Sequence, residues 1–398
     1  MVASGQAGDG IEPAFSAQFD EPIARVLDLE TWSTGTDLDR LYAQLDREVR
    51  AALTQDADHR AAIRRIVFPQ LAKRGTVAPE AGVYRATPAD IRLVHQGLLF
   101  KGEVECADGT SALHDTLPLS VAQIGVGLVS YHGDQGTWVH RLFRRDVRAH
   151  RSQDPAEEVL DLLEARRLRA AFNQEDDETD PLSRLARRGL MSYAERAVLL
   201  HKSTARWRMG HGSPAPVELL TGATEPFLDA SLDVLRTLIL DHRRFVFVPS
   251  APAERLWLTL GAALEPLEYA VLETQEERLL RFVERGYNAS FASAAMREAL
   301  EFAQEVGPKL LLGVYRASAL APGQLFYAHA DHVHEAALIA IADSVLHEHR
   351  GFPLLIDLAD TVCAAHFSAA SFAAGVNAAY AAAGASYRYL HERATRKG

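Results

Sequence analysis

The stretch from Lys101 to Arg148 limits the fold more than any other part of this chain. A short strand-like run, residues 102–107, leads into Asp108-Gly109-Thr110-Ser111. Two longer strand-like runs follow, residues 119–132 and 137–147. They are joined by Gly133-Asp134-Gln135-Gly136, a composition suited to a hairpin turn. The expected order is strand, carboxylate, loop, then a β-meander. Helical and strand-like patterns alternate after it, with no internal repeat. That order predicts an α/β fold, a mixed sheet covered by helices.

Along the rest of the chain, residues 1–20 are small, polar and aperiodic, and are expected to be a flexible N-terminus. Leu38, Leu41, Leu45, Val49 and Leu53 recur at helical spacing. This helical arm, within residues 21–89, is either a dimerisation or docking element or a helix packed on its own domain. Residues 79–86 look like a linker, and the core is expected to start near Asp90 and run through residues 90–398. Asp154-Pro155 announces a helix over residues 157–172. Another helix is expected over 192–207, and residues 216–220 have the pattern of a buried strand closed by Thr221-Gly222. Strands are expected at 244–248, 309–315 and 324–329, helices at 228–240, 252–264, 274–283 and 337–349. An alanine-rich helix or pair fills 358–384.

Bulk properties remove several classes. No run of about 18 uncharged apolar residues is present, which predicts no membrane span. Residues 1–20 have no basic start followed by an apolar stretch, so no secretory signal is visible. Only Cys106 and Cys363 occur, too far apart in sequence for a disulfide framework or zinc knuckle, and they suit a reducing cytoplasm. P-loop, dinucleotide-fold and hydrolase-elbow motifs are missing, so ATP hydrolysis by this chain is not expected. The formal net charge of -11 argues against a nucleic-acid coat protein. Arginines nevertheless cluster at Arg141, Arg144, Arg145, Arg148 and Arg151, again at Arg166, Arg167 and Arg169, and at Arg184, Arg187 and Arg188. They form either solvated faces or a basic strip beside an acidic site.

Asp108 is the first candidate for chemistry. A carboxylate at a strand end beside glycine can lie open where a metal ion reaches it. Two-metal phosphodiester chemistry needs such hard oxygen ligands in a cluster. An Asp-Gly pair is equally a turn signal. Glu195 closes Ser192-Tyr193-Ala194-Glu195, which matches a capping box and needs no further role. His332 and His334 would share one face of a strand, beside His329, at a spacing metal sites use. A polar exposed segment explains them as well. His347 and His349 are a weaker pair.

Four segments, taken in order, resemble the NurA nuclease family. They are Ala107-Asp108-Gly109-Thr110-Ser111 ahead of the meander, the Glu195 helix, Glu218-Leu219-Leu220-Thr221-Gly222-Ala223, and the run from Arg350 through Phe352-Pro353 to Asp360. The family has Asp-Gly-Ser in the first, apolar-apolar-Asp-Gly in the third, and Gly-Tyr-Pro followed by Ala-His in the fourth. The resemblance implies a ribonuclease-H-like mixed sheet, a homodimer, and cleavage of DNA with Mn²⁺ or Mg²⁺. It also implies docking on a HerA-type hexameric ATPase, in DNA end processing or defence against phage. Mapped onto this chain, the metal ligands would be Asp108 and Glu195, with Asp360 where the family has histidine. Thr221 stands where an aspartate is expected, and Phe352 replaces the tyrosine. A hydroxyl is a poor ligand for these ions. The alternative is therefore a catalytically silent scaffold that keeps the fold and the docking surface.

Overall fold

The computed structural model describes residues 11–32, 38–74, 78–115, 119–145, 184–220, 228–250, 255–286 and 294–385. The chain divides into two compact units, residues 1–61 and 62–398. In the first unit, helices α1 (Ile11–Phe19) and α2 (Ile23–Leu27) precede α3 (Leu38–Ala62). Residues 11–19 are thus helical, where a flexible segment is expected from the small polar composition. Leu38, Leu41, Leu45, Val49 and Leu53 are all exposed on α3.

In the second unit a nine-stranded mixed sheet runs in the order β1-β7-β8-β9-β6-β5-β2-β3-β4. Its elements, in chain order, are α4 (Phe68–Leu71), β1 (Gly82–Arg85), α5 (Pro88–Gly97), β2 (Val104–Asp115), β3 (Leu119–Ser130) and β4 (Gly133–Arg145). Then come α6 (Arg184–His201), β5 (Trp207–His211), α7 (Leu228–Arg236), β6 (Phe245–Val248), α8 (Arg255–Ala262), β7 (Glu268–Thr274) and α9 (Glu276–Gly286). The series ends with α10 (Ala294–Val306), β8 (Leu310–Tyr315), β9 (Gln324–His329), α11 (Val333–Ser344), α12 (Leu354–Phe367) and α13 (Ala369–Ala382).

Parallel pairing in the middle of the sheet positions the site. β2 pairs with β5, and β5 with β6, in parallel; every other pair is antiparallel. Parallel neighbours need crossovers, and α6 and α7 lie on those connections. The carboxyl ends of these strands therefore point the same way, the place where open α/β sheets bind ligands. β3 is buried along nearly its whole length, which fits its apolar run. One apolar cluster gathers Ala107, Leu199, Phe245 and Phe302 on one face. A second gathers Cys106, Met209, Ile341 and Leu355 on the other.

Several expectations change. Residues 79–86 do not form a linker: β1 lies there, paired to β7, and Thr87 caps α5 through a capping box with Asp90. Pro88 and that box give a helix start that apolar periodicity alone does not show. Residues 216–220 form a 3₁₀ turn, Val217–Leu219, not a strand. The helix expected at 192–207 starts at Arg184 and stops at His201, and Trp207 opens β5. The helix expected over residues 157–172 lies outside the described residues. The apolar stretch Leu354–Ala382 has the length and composition of a membrane-crossing helix. It is two helices divided at Ser368, whose hydroxyl accepts from Ser371 N. α12 packs across β2 and β3.

Candidate active site

Asp108 does not end a strand. β2 runs straight through it to Asp115, so Asp108-Gly109 is not a turn. What ends there is one neighbour. Ala107↔Gly210 is the last pair between β2 and β5, and beyond it β2 is paired only with β3. Asp108 is thus level with His211, the last residue of β5, which in turn pairs with Val248 at the end of β6. The open edge predicted for Asp108 arises from a neighbour that stops.

Side chains alternate along β2. Cys106 joins the cluster with α11 and α12, and Ala107 the cluster with α6. By that alternation Asp108 faces α12 and Gly109 faces α6. Both helices come in close because the strands are bare. A Cβ on Gly109 would lie 2.6 Å from Glu195 Oε1 and 2.9 Å from Met191 Cγ. On β3, Gly127 lies opposite Asp108, and a Cβ there would lie 3.3 Å from Cys363 Sγ. The Cys363 thiol donates to the Asp108 carbonyl at 2.9 Å. Cys106 and Cys363 are both free and buried.

Glu195 is not a capping residue. Ser192 is well inside α6, so the capping-box reading fails. Glu195 is buried and bonded to Arg196, whose Nη1 donates to Oε2 at 2.6 Å. Arg196 is only 2% exposed. It donates to Ser192 O at 3.0 Å, Ser213 O at 2.5 Å and Pro214 O at 3.3 Å. One guanidinium therefore ties the Glu195 helix to the loop that leaves His211. His211 Nε2 lies 2.8 Å from Ser250 Oγ and accepts from Ser250 N at 3.3 Å, so the end of β6 orients the ring. Phe352 meets His211 edge-on, ring centroids 6.3 Å apart.

Burial dominates the electrostatics. It pushes the Asp108 carboxyl up to about 6; the Gly109 N–H opposes this, Asp360 adds to it, and Arg196 opposes it. Burial pushes Glu195 up to about 7 against Arg196, with Asp108 adding to the rise. Burial also pushes the His211 imidazole down, against the pull of Glu195. Asp360 is exposed on α12, one turn before Cys363, and its charge acts on both Asp108 and His211. Asp357 is held by Arg350 at 2.5 Å.

The charges of Asp108, Asp360 and Glu195 thus reach one another or His211, though Asp108 and Glu195 approach β2 from opposite faces. His211 is the residue that sequence reasoning missed. Thr221, placed there by the motif Leu219-Leu220-Thr221-Gly222, lies outside the described residues. Glu218, just before it, pairs with Arg188. The other histidines do not assemble. His332 and His334 sit at a helix start, not on a strand, bonded to Glu335 and Glu80. Of the expected basic strip, Arg141 bonds Gln123 at 3.0 Å and Arg188 pairs with Glu218. Arg148, Arg151, Arg166, Arg167 and Arg169 lie outside the described residues.

Carboxylates and an imidazole are the donor types that suit Mn²⁺. Among the described residues no three His, Cys, Asp or Glu side chains close on one point. The chemistry of the donors fits a divalent cation, and two buried acids repelling each other would be stabilised by one.

Beside Glu195 lies a cavity of about 410 Å³. Its lining includes Glu195, Arg196 and His211, together with Arg278, Leu279 and Phe282 of α9 and Tyr327 of β9.

No family model matches the chain, and no curated protein matches it. Solved structures do. The NurA nuclease from Sulfolobus solfataricus aligns at 9% identity and a TM-score of 0.45, covering 86% of this chain and 97% of that chain. A NurA structure bound to dAMP and manganese aligns at 7% identity and a TM-score of 0.37, covering 83% and 93%. A NurA structure with manganese aligns at 7% identity and a TM-score of 0.35, covering 69% and 92%.

Proposed function

We propose that this protein is a metal-dependent DNA nuclease whose site is built around Asp108 and Glu195. One observation carries the reading: Asp108 and Glu195 are buried carboxyls raised to about 6 and about 7, the charge of Asp108 acts on Glu195, and Glu195 lines a cavity. Strongly perturbed acids in a cleft mark candidate sites. The order of the four sequence segments supports the same reading, because three of them supply Asp108, Glu195 and Asp360.

Asp108 and Glu195 would hold Mn²⁺ or Mg²⁺, with His211 or Asp360 completing the set. Bound there, the ion would acidify a water and neutralise phosphate charge. Arg196 holds the Glu195 carboxylate in place and keeps the Ser213–Pro214 loop against it. His211, held neutral by burial and oriented by Ser250, lines the cavity and can take a proton there. A HerA-type hexameric ATPase, a homodimer and a cytoplasmic site of action are part of the proposal through the resemblance.

A catalytically silent scaffold is the second reading. It is favoured by Thr221 and Asp360 standing where the family has aspartate and histidine, and by the Glu195–Arg196 bond. Cleavage of linear duplex and single-stranded DNA with Mn²⁺, with and without the ATPase, separates the two. The nuclease reading expects cleavage that Asp108→Asn abolishes in a folded protein. No cleavage by the wild type under any metal, partner present, leaves the scaffold.

A further inference from the structure

The peptide between Asp108 and Gly109 is held at both ends. Its N–H, on Gly109, donates to Asp108 Oδ1 at 2.9 Å and orients the carboxylate. Its carbonyl accepts from the Cys363 thiol, also at 2.9 Å. A side chain of α12 thereby fixes the plane that fixes the carboxylate. Hydrogen bonds in such a chain polarise one another, so the thiol also strengthens the bond from Gly109 N.

The thiol reaches the strand because the sheet is bare beneath α12. Cys363 and Phe367, one turn apart, rest over Gly127 and Gly125, which alternate onto one face of β3. A Cβ on Gly127 would lie 3.3 Å from Cys363 Sγ, and one on Gly125 would overlap the Phe367 ring. Gln123 Nε2 donates to Phe367 O at 3.4 Å and holds the far end of the helix. Cys363 is buried, and Asp360 lies one turn before it on the same helix.

We infer that Cys363 is a positioning residue for the Asp108 carboxylate, acting through the Asp108–Gly109 peptide. The inference rests on the proposed reading of Asp108 as a metal ligand. A group that orients a ligand from behind typically changes metal affinity about 10–100-fold when it is lost. Serine and alanine at this position separate positioning from packing. They are nearly equal in size and leave nearly the same void. Serine still donates to the Asp108 carbonyl, and alanine cannot. A packing role alone would rank alanine at or above serine, because serine buries a hydroxyl.

The test measures Mn²⁺ binding by the full chain, without nucleic acid, from the loss of the free-ion EPR signal. Exchange of the Gly109 amide proton is followed by NMR on metal-free samples of the same proteins. Cys363→Ser should bind Mn²⁺ close to the wild type and keep the Gly109 amide protected. Cys363→Ala should bind about tenfold more weakly or worse and exchange that amide faster, with melting temperatures confirming that both fold. Equal Mn²⁺ affinity in the two variants overturns the inference, whether both match the wild type or both fall. A wild type that takes up no Mn²⁺ sinks the metal reading, and the amide exchange then decides. Faster exchange in alanine alone keeps the hold of Cys363 on the carboxylate; equal exchange in the two variants overturns it.

Discussion

Glu195 Oε1 occupies the space that any side chain on Gly109 would need: a Cβ there would lie 2.6 Å from it. Gly109 lies in the strand without a positive φ, so its role is close approach and not a turn. Asp108-Gly109 is a pair in which the first residue supplies a carboxylate and the second admits another.

Gly109→Ala should therefore push Glu195 and Met191 outward. The expected cost is about 1–3 kcal/mol from overpacking, with loss of most metal-dependent cleavage. Denaturation and a cleavage assay on the same preparation check both. A variant with wild-type melting and wild-type rate would show that Glu195 tolerates displacement.

Arg196 compensates the charge of a buried acid. Arg196→Met leaves Glu195 without its partner, and breaking a buried pair costs about 3–5 kcal/mol. The sign with pH is defined. The folded Glu195 is already at about 7, above an ordinary glutamate. Its favourable share is full below the unfolded value and is lost as pH rises through the folded one. Removing Arg196 raises the folded value further. The variant should thus be least impaired near pH 5 and most impaired near pH 8. Urea midpoints across that range test it; a deficit independent of pH would mean that Glu195 stays protonated throughout.

How much of this was legible in the sequence depended on the local signal. β3, β6, β8 and β9 are apolar runs with clear ends, and their positions follow from pattern. β5 has no clear sequence signal: the expected helix over 192–207 overlaps only its first residue, Trp207, and Ser203 to Trp207 offers no proline or glycine to mark where the helix ends. β7 was missed because its seven residues, Glu268–Thr274, carry an acid at each end of the apolar run. The sequence points to Asp108 as a strand end; the strand does not stop there, its neighbour does. Only the register between β2 and β5 shows that, and register is a long-range property. Nothing in Met209-Gly210-His211-Gly212 marks His211, since it holds no carboxylate, whereas Thr221 follows an apolar pair and precedes glycine.

Arg64 and Glu268 give a second pH dependence, remote from the site. Arg64 Nη1 meets Glu268 Oε2 at 2.7 Å, and Glu265 N donates to the same oxygen at 2.7 Å. Burial acts to raise the Glu268 value, and the bonds from Arg64 and Glu265 outweigh it, leaving the carboxyl below its ordinary range. A lowered acid contributes stability above its unfolded value, near 4.3, and loses it as pH falls through the folded one. Glu268→Gln should therefore lower the melting temperature at pH 7 and match the wild type near pH 3. A gap that persists at the acid end would assign the effect to packing.

Asp343 yields the opposite sign. It is fully buried at the end of α11, where Oδ2 accepts from Leu355 N in the first turn of α12 at 2.9 Å, and Oδ1 accepts from the Tyr131 hydroxyl. One carboxylate thereby joins the end of β3 to the start of the helix that carries Asp357 and Asp360. Burial pushes its pKa up to about 6, against both bonds. A raised acid stabilises fully below its unfolded value, near 3.9, and that share is lost as pH rises through about 6. Asp343→Asn keeps an oxygen for Leu355 N and offers an NH₂ to the Tyr131 oxygen, so the phenol turns from donor to acceptor. It has no charge to bury. Asp343→Ala leaves Leu355 N and the Tyr131 hydroxyl unpaired, at about 1–3 kcal/mol each. The alanine variant should be destabilised at every pH. The asparagine variant should gain on the wild type between pH 4 and pH 7 and hold that gain above it. If asparagine instead follows alanine across the whole range, the negative charge itself is what holds α12 in place, through the partial positive charge at its N-terminus.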